Sequence, residues 1–226
     1  MTSRQIPFDL AGEPSYGRED FLVSPSNAKA WAYLEDWPNW PERTLALIGP
    51  SGCGKSHLAS IWAERAGARS LSPAGFTRSE AEAAIRAGAA LVEDADRGLG
   101  CEADLFHFLI RARASETFVV FTARETPASW PLQTPDLVSR LRQAPLLAIG
   151  GPDDALMRSV LVKLFLDRQL LVEANVVEFV ALRLERSLEA ARLFVDEIDR
   201  EALSRSRPIS RPMAAEVLAR MEGAAG

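Results

Sequence analysis

The stretch GPSGCGKS, residues 49–56, has the composition and spacing of a loop that binds phosphate. Its Gly49, Gly54, Lys55 and Ser56 match the pattern G-x-x-x-x-G-K-[ST] at every required position. In such a loop the glycines let backbone N–H groups turn towards phosphate oxygens, the lysine reaches the β- and γ-phosphates, and the hydroxyl binds Mg²⁺. The predicted cofactors are therefore ADP or ATP together with Mg²⁺.

The whole loop and the residue after it are candidate nucleotide-binding positions. They are Gly49, Pro50, Ser51, Gly52, Cys53, Gly54, Lys55, Ser56 and His57. An apolar run typical of a strand precedes the loop and helical spacing follows it, which is the order that the motif requires. Cys53 stands near a predicted helix N-terminus, where a thiol pKa can fall, and the alternative is a tolerated small residue.

Two acidic residues, Glu93 and Asp94, end the next buried run, AALVED at residues 89–94. In nucleotide hydrolases the first acid of such a pair usually serves the metal and the second orients the attacking water. Glu93 would then join Ser56 at Mg²⁺, and Asp94 would be catalytic. A shifted register would give Asp94 the metal role, and a solvated strand end would give neither residue a role.

Apolar runs and helical spacing alternate through the first two thirds of the chain. The predicted strands are 44–49, 89–94, 117–122 and 145–149, and the helices between them are 55–66, 78–87 and 101–114. Continuous apolar strands separated by helices predict a parallel sheet covered on both faces. A shorter helix is predicted over 28–34, ahead of the first strand.

The composition changes at Gly150, Gly151 and Pro152, and Asp153 is a predicted helix N-cap. Beyond it only helices are predicted, at about 153–168, 173–184, 187–204 and 211–221. The predicted fold is an α/β P-loop ATPase core followed by a small all-helical lid. The predicted division is a flexible tail over 1–20, the α/β domain over 21–150 and the lid over 151–226.

The composition is that of an ordinary globular protein, with 47% hydrophobic and 25% charged residues among 226. Its two cysteines and two histidines provide neither a disulfide framework nor a zinc pattern. No apolar run approaches the roughly 20 residues that span a bilayer. A cytoplasmic protein without membrane contact is expected, and the net charge of −5 does not predict DNA binding.

The loop, the acidic strand end and the helical appendage together resemble an AAA+ ATPase. Three segments are more specifically similar to the bacterial replication initiator DnaA and its regulatory relatives, and the likeness covers nearly the whole chain from residue 4. They are FLVSPSNAKA (21–30), PDLVSRL (135–141) and RSLEAA (186–191). In that family the first segment lies beside adenine, the second carries an arginine finger, and the third begins the sensor 2 helix.

The resemblance implies roles for two arginines. Arg140 would be the finger, which enters a neighbour's ATP site and stabilises charge developing on the γ-phosphate. Arg186 would be sensor 2, which touches the nucleotide bound by its own chain. Judged by the residues alone, both could be exposed helix arginines.

After the third predicted strand the chain departs from the family pattern. The family has a small polar or acidic residue there, whereas this segment, FTARETP, has Thr122 and Arg124. Together with Glu93 in place of aspartate, this favours nucleotide binding over fast hydrolysis by the chain itself.

The N-terminal stretch RQIPFDL, residues 4–10, resembles the hexapeptide by which replication proteins dock on the sliding clamp. Its candidate partner-binding residues are Gln5, Ile6, Phe8 and Leu10. An extended peptide of this kind buries apolar anchors in a pocket while a terminal amide makes hydrogen bonds. A frayed leader or an edge strand are the alternatives.

The resemblance implies two partners, the sliding clamp (the β subunit of DNA polymerase III) and DnaA. Because the chain ends at Gly226 soon after the lid, we expect no helix-turn-helix domain, and DNA contact only indirectly through the clamp. Self-association as a homodimer is left open. The expected function is to promote hydrolysis of DnaA-bound ATP. The alternatives are a helicase-loader ATPase that binds single-stranded DNA and an assembly adaptor in which nucleotide holds the two domains together.

Overall fold

The computed structural model describes residues 17–98 and 100–224. The strands are β1 (Thr44–Ile48), β2 (Arg69–Leu71), β3 (Ala89–Val92), β4 (Phe118–Ala123) and β5 (Leu146–Ala148). The helices are α1 (Ala28–Glu35), α2 (Lys55–Ala66), α3 (Arg78–Ala87), α4 (Glu102–Ala114), α5 (Pro135–Arg142), α6 (Asp154–Asp167), α7 (Ala174–Ala181), α8 (Leu188–Arg205) and α9 (Arg211–Ala224). Short 3₁₀ turns cover Arg18–Asp20, Ala95–Arg97 and Pro127–Ser129.

The five strands form one parallel sheet in the order β2-β3-β4-β1-β5. β4 lies between β1 and β3, with Ile48 opposite Ala123 and Val92 opposite Phe121. The carboxyl ends of these three strands therefore lie side by side at one edge of the sheet, where ligands of open α/β sheets bind.

Successive residues of each buried strand point to opposite faces of the sheet. On β3, Leu91 belongs to the buried cluster that contains Trp62 of α2. Val92 belongs to the opposite cluster, with Phe108 of α4 and Leu137 of α5. Consequently α2 and α5 lie on opposite faces of the sheet.

The helices from α6 to α9 enclose a third buried cluster. It includes Met157 and Leu161 of α6, Phe194 of α8 and Val217 of α9, each fully buried. α6 begins after Asp153, whose Oδ1 accepts a hydrogen bond from Leu156 N at 2.8 Å, so the predicted cap is confirmed. The predicted combination of a parallel α/β core and a helical lid is the observed fold.

The predicted elements lack β2 and α5, and the predicted strands 44–49, 89–94 and 145–149 are each longer than the observed ones. β2 has only three residues, two of them exposed, and so it carries no apolar run that could have revealed it. The predicted strand 89–94 ends at Val92, because Asp94 adopts a left-handed conformation with φ 50°. The four clamp-motif residues, Gln5, Ile6, Phe8 and Leu10, lie outside the described residues.

In the part of the chain that the structure describes, none of the helices combines the length and apolarity needed to cross a membrane.

Candidate nucleotide site and helix α5

Three glycines of the phosphate loop are required by the backbone. Gly52 and Gly54 have φ of 67° and 96°, a region that side chains with a Cβ disfavour. Gly49 is crowded instead, because a Cβ there would lie 2.5 Å from the Ile149 carbonyl oxygen and 2.8 Å from Cys53 Sγ. The loop can therefore bring its backbone close to a bound phosphate.

Lys55 is buried at the start of α2, and its Nζ donates a hydrogen bond to the Pro50 carbonyl oxygen at 3.1 Å. The first turn of α2 has neither an acidic side chain nor a side-chain cap. The first N–H groups of this helix thus remain donors for an anion, at the positive end of the helix dipole. Burial raises the pKa of the Cys53 thiol, so this residue is a thiol rather than a thiolate at neutral pH.

Glu93 follows β3 on the side of the sheet that α2 covers, and its carboxylate lies close enough to the Ser56 side chain for Ser56 to influence its pKa. Burial, followed by the charge of Asp94, raises its pKa, while Ser56 and Lys55 oppose the rise. Its Oε1 is buried without a hydrogen-bond partner. A buried, unpartnered carboxylate oxygen beside the loop hydroxyl suits Mg²⁺, which takes one or two protein oxygens and completes its shell with phosphate and water.

Asp94 has different surroundings from Glu93. Its backbone N–H donates to Thr122 Oγ1 at 3.0 Å, and its carboxylate lies 3.2 Å from Arg97 Nε. Thr122 is fully buried, whereas Arg124 is exposed. The structure therefore brings Glu93 to the loop hydroxyl and holds Asp94 against Arg97.

The segment that leads into α1 packs beside the first turn of α2. The Phe21 ring stacks on Trp31 at a centroid distance of 5.0 Å, and the His57 ring meets it edge-on at 5.2 Å. Asn27 is buried and holds the turn, since it accepts from Ser24 N at 2.9 Å and donates to the Leu22 carbonyl at 3.0 Å. His57 thus contacts this aromatic wall, next to the loop.

The lid touches the phosphate loop through the start of α8. Leu188 N donates to the Gly52 carbonyl at 2.8 Å, and a Cβ on Gly52 would lie only 2.0 Å from Ser187 Oγ. Arg186 is exposed, and its guanidinium pairs with Asp154 at 2.7 Å. The predicted sensor 2 residue therefore directly precedes Ser187, the lid residue that faces the loop. Its own guanidinium, however, pairs with α6.

Arg140 lies on α5, across the sheet from α2. Its guanidinium lies over the Phe106 ring of α4, 5.6 Å from the centroid, and its Nε is buried without a hydrogen-bond partner. Among the described residues, no carboxylate forms an ion pair with it. The predicted finger and the predicted nucleotide loop are thus on separate faces.

Comparison with known proteins gives matches only among solved structures. No protein-family model matches the chain, and no curated protein gives a significant match. Domain III of DnaA from Thermotoga maritima is 19% identical, with a TM-score of 0.79 over 92% of this chain and 97% of that one. AMPPCP-bound DnaA from Aquifex aeolicus is 17% identical, with a TM-score of 0.69 over 83% of this chain and 66% of that one.

A branch-migration motor has a similar fold. RuvB from Thermotoga maritima, a Holliday junction branch migration motor, is 14% identical, with a TM-score of 0.70 over 91% of this chain and 72% of that one. At these identities the likeness establishes the fold alone. The chain therefore has the AAA+ P-loop ATPase fold, in a form similar to that of the DnaA structures.

Proposed function

We propose that the chain is a nucleotide-binding AAA+ regulator of replication initiation, of the Hda type. It binds ADP or ATP with Mg²⁺, docks on the sliding clamp through residues 5–10, and presents Arg140 to ATP bound on DnaA. Hydrolysis of that ATP by water leaves ADP and phosphate on the initiator and prevents re-initiation. The DnaA-like fold, with neighbours that bind a nucleotide analogue, supports the first part of this proposal.

The observation that carries the proposal is the placement of Arg140. It lies across the sheet from α2, it rests on Phe106, and no described carboxylate neutralises it. An arginine that is remote from its own phosphate loop and lacks a counter-charge is suited to a phosphate supplied by another chain. In other nucleotide hydrolases such a finger increases the rate by about 10³ to 10⁵.

The chain's own site fits binding better than fast turnover. Lys55 and the first N–H groups of α2 would hold phosphates, and Ser56 with Glu93 would hold Mg²⁺. Asp94 is the candidate for orienting water, but its carboxylate lies against Arg97. We therefore propose a weak intrinsic ATPase, with the main catalytic effect exerted on DnaA.

The decisive experiment compares Arg140→Ala with Arg142→Ala. The second variant is the matched control, because it removes an exposed arginine from the same last turn of α5. The readout is hydrolysis of radiolabelled ATP bound to DnaA, with the clamp loaded on DNA. Arg140→Ala should lose the stimulation, by about 10³-fold if the finger acts as in other systems. Normal stimulation by Arg140→Ala, with nucleotide and clamp binding intact, would overturn the proposal.

A second experiment tests the tail. Binding of the wild-type chain to the purified clamp is compared with that of a Gln5→Ala/Leu10→Ala double variant, and we expect binding that the variant loses. Absence of wild-type binding would remove the clamp from the proposal. Strong hydrolysis stimulated by single-stranded DNA, abolished by Lys55→Ala, would then identify a helicase-loader ATPase.

A further inference from the structure

The start of α5 is held by a side chain from α4. The helix begins at Pro135, and its N-cap residue Thr134 makes no side-chain cap. Instead, Glu102 Oε1 accepts a hydrogen bond from Gln133 N at 2.8 Å, and Glu102 Oε2 accepts one from Thr134 N at 2.7 Å. One carboxylate therefore binds the last two N–H groups before the helix.

These are strong bonds by their chemistry. The acceptor is ionised, because hydrogen bonds from the Thr134 side chain and from Gln133 N lower the pKa of Glu102 below its usual value. Hydrogen bonds to a charged group are shorter and stronger than those between neutral groups. The bound carboxylate also lies at the N-terminal end of α5, where the helix dipole favours negative charge.

The same face of α4 reaches the finger. Phe106 lies four residues after Glu102, one helical turn along, and its ring lies under the Arg140 guanidinium. Glu102 thus fixes where α5 starts, while Leu137 and Leu141, both buried, fix its inner face. Because α5 has only eight residues, its start determines where Arg140 stands near its end.

We propose that Glu102 is a positioning residue for Arg140, one that sets the reach of the finger without contacting nucleotide. This inference rests on the proposed function of Arg140. It predicts that removal of the Glu102 carboxylate lowers the maximal rate at which the chain promotes hydrolysis on its partner. The amount of chain needed for half-maximal stimulation and the chain's own nucleotide affinity should change little.

The test uses Glu102→Ala and Glu102→Gln, with Asp104→Asn as the matched control. Asp104 lies in the same first turn of α4 but forms no described hydrogen bond or ion pair. The probe is ATP-loaded DnaA with the clamp on DNA. Glu102→Ala should lower the maximal rate by about 10²-fold, since a displacement of about 1 Å can cost that much. Glu102→Gln keeps one acceptor oxygen and should lie between Glu102→Ala and the wild type, and Asp104→Asn should match the wild type.

A second arm separates positioning from simple loss of structure. In an Arg140→Ala background, Glu102→Ala should cause no further loss of rate, because it acts through the arginine. In the Glu102→Ala chain, hydrogen exchange should accelerate at the amides of Gln133 and Thr134 while α2 stays protected. Equal protection of these amides would overturn the inference, as would an unchanged maximal rate.

The same data distinguish two failures. If Arg140→Ala stimulates hydrolysis normally, the proposed function fails, whatever Glu102 does. If Arg140→Ala abolishes stimulation and Glu102→Ala leaves it unchanged, only the positioning role fails.

Discussion

The phosphate loop and helix α5 differ in whether their charged side chains find partners among the described residues. At the loop, Lys55 donates to the Pro50 carbonyl, Glu93 lies near Ser56, and the adjacent lid arginine Arg186 pairs with Asp154. On α5, the Arg140 guanidinium lies over the Phe106 ring and forms no ion pair within the described residues. The charged groups of the loop thus meet partners within the described chain, whereas Arg140 forms no ion pair with a described carboxylate.

The two regions are also supported differently. The loop lies between α2, the segment that leads into α1, and the start of α8, so the lid contacts it directly. Helix α5 is attached through the buried Leu137 and Leu141 and through the Glu102 carboxylate. Perturbations at one region should therefore leave the other unaffected, and the first prediction below tests that independence.

The largest effect is expected where α5 is anchored in the core. Leu137 is completely buried, and Leu137→Ala should lower the free energy of unfolding by about 2–5 kcal/mol through lost burial and a cavity. Denaturant titration measures this loss, and nucleotide affinity per folded molecule should stay the same. The half-buried neighbour Val138 provides the control, since Val138→Ala should cost clearly less. Equal losses would mean that Leu137 does not anchor α5.

The next effect belongs to the phosphate loop. Lys55→Ala should weaken ATP binding by about 10- to 100-fold, because a hydrogen bond to a charged group contributes roughly 1.5–3 kcal/mol. Calorimetric titration with Mg²⁺-ATP measures it. Arg86→Ala, which removes an exposed cation from the last turn of α3, should bind as the wild type does. If both variants bind equally well, Lys55 does not contact the phosphates.

The energetic contribution of the contact between lid and loop can be tested by comparing alanine substitutions at two glycines. Gly52 and Gly67 both have a positive φ, of 67° and 60°, but only Gly52 faces a neighbour, Ser187. Gly67→Ala should lower the free energy of unfolding by about 1–2 kcal/mol, through backbone strain alone. Gly52→Ala should cost about 1–3 kcal/mol more through overpacking against the lid. Adding Ser187→Gly to the Gly52→Ala variant should restore part of the additional loss of unfolding free energy. Equal unfolding free energies for Gly52→Ala and Gly67→Ala would contradict the contact.

The smallest effect concerns the bridge from α6 to the segment before α1. Lys163 Nζ lies 2.7 Å from Asp20 and 2.8 Å from Asp167. Lys163→Met should cost about 0.2–1 kcal/mol of unfolding free energy, as partly exposed ion pairs do. Lys29→Met is the control.

The same bridge has a defined pH dependence. The hydrogen bonds that Lys163 Nζ donates to the carboxylates of Asp167 and then Asp20 raise the pKa of Lys163. The contribution of Lys163 to the free energy of unfolding is therefore fully present below the ordinary lysine pKa of about 10.4. It is lost as the pH rises through the raised pKa of the folded state. Thermal melts at pH 7 and above pH 11 should show the difference between wild type and Lys163→Met shrinking at the higher pH.

Much of the fold could be predicted because its signals are local. The helix α2 begins and ends at the predicted residues 55 and 66, since the phosphate-loop motif and the apolar spacing both lie within it. β2 gave no such signal, because a three-residue edge strand is defined by pairing with β3 rather than by its own side chains. Tertiary pairing also ended β3 early, where the Asp94 amide turns to Thr122.

The site divides in the same way. Ser56 and Glu93 could be predicted as neighbours, because strand order and the motif place both at the same edge of the sheet. Asn27 could have been suspected from its place just before α1, although its buried contacts could not. Glu102 gave no signal, because an exposed glutamate in a first helical turn is common and its partners lie 31 and 32 residues away.

The sequence by itself determined the phosphate loop, the alternating α/β order and the helical lid, because loop chemistry and residue periodicity act over short stretches of chain. Only the tertiary structure decided which charges meet. It paired Arg186 with Asp154, turned Asp94 towards Arg97, and left Arg140 against an aromatic ring with no carboxylate among the described residues. The physical reason is that hydrogen bonds and ion pairs depend on a few ångströms between side chains from distant segments, and only packing of the whole fold sets those distances.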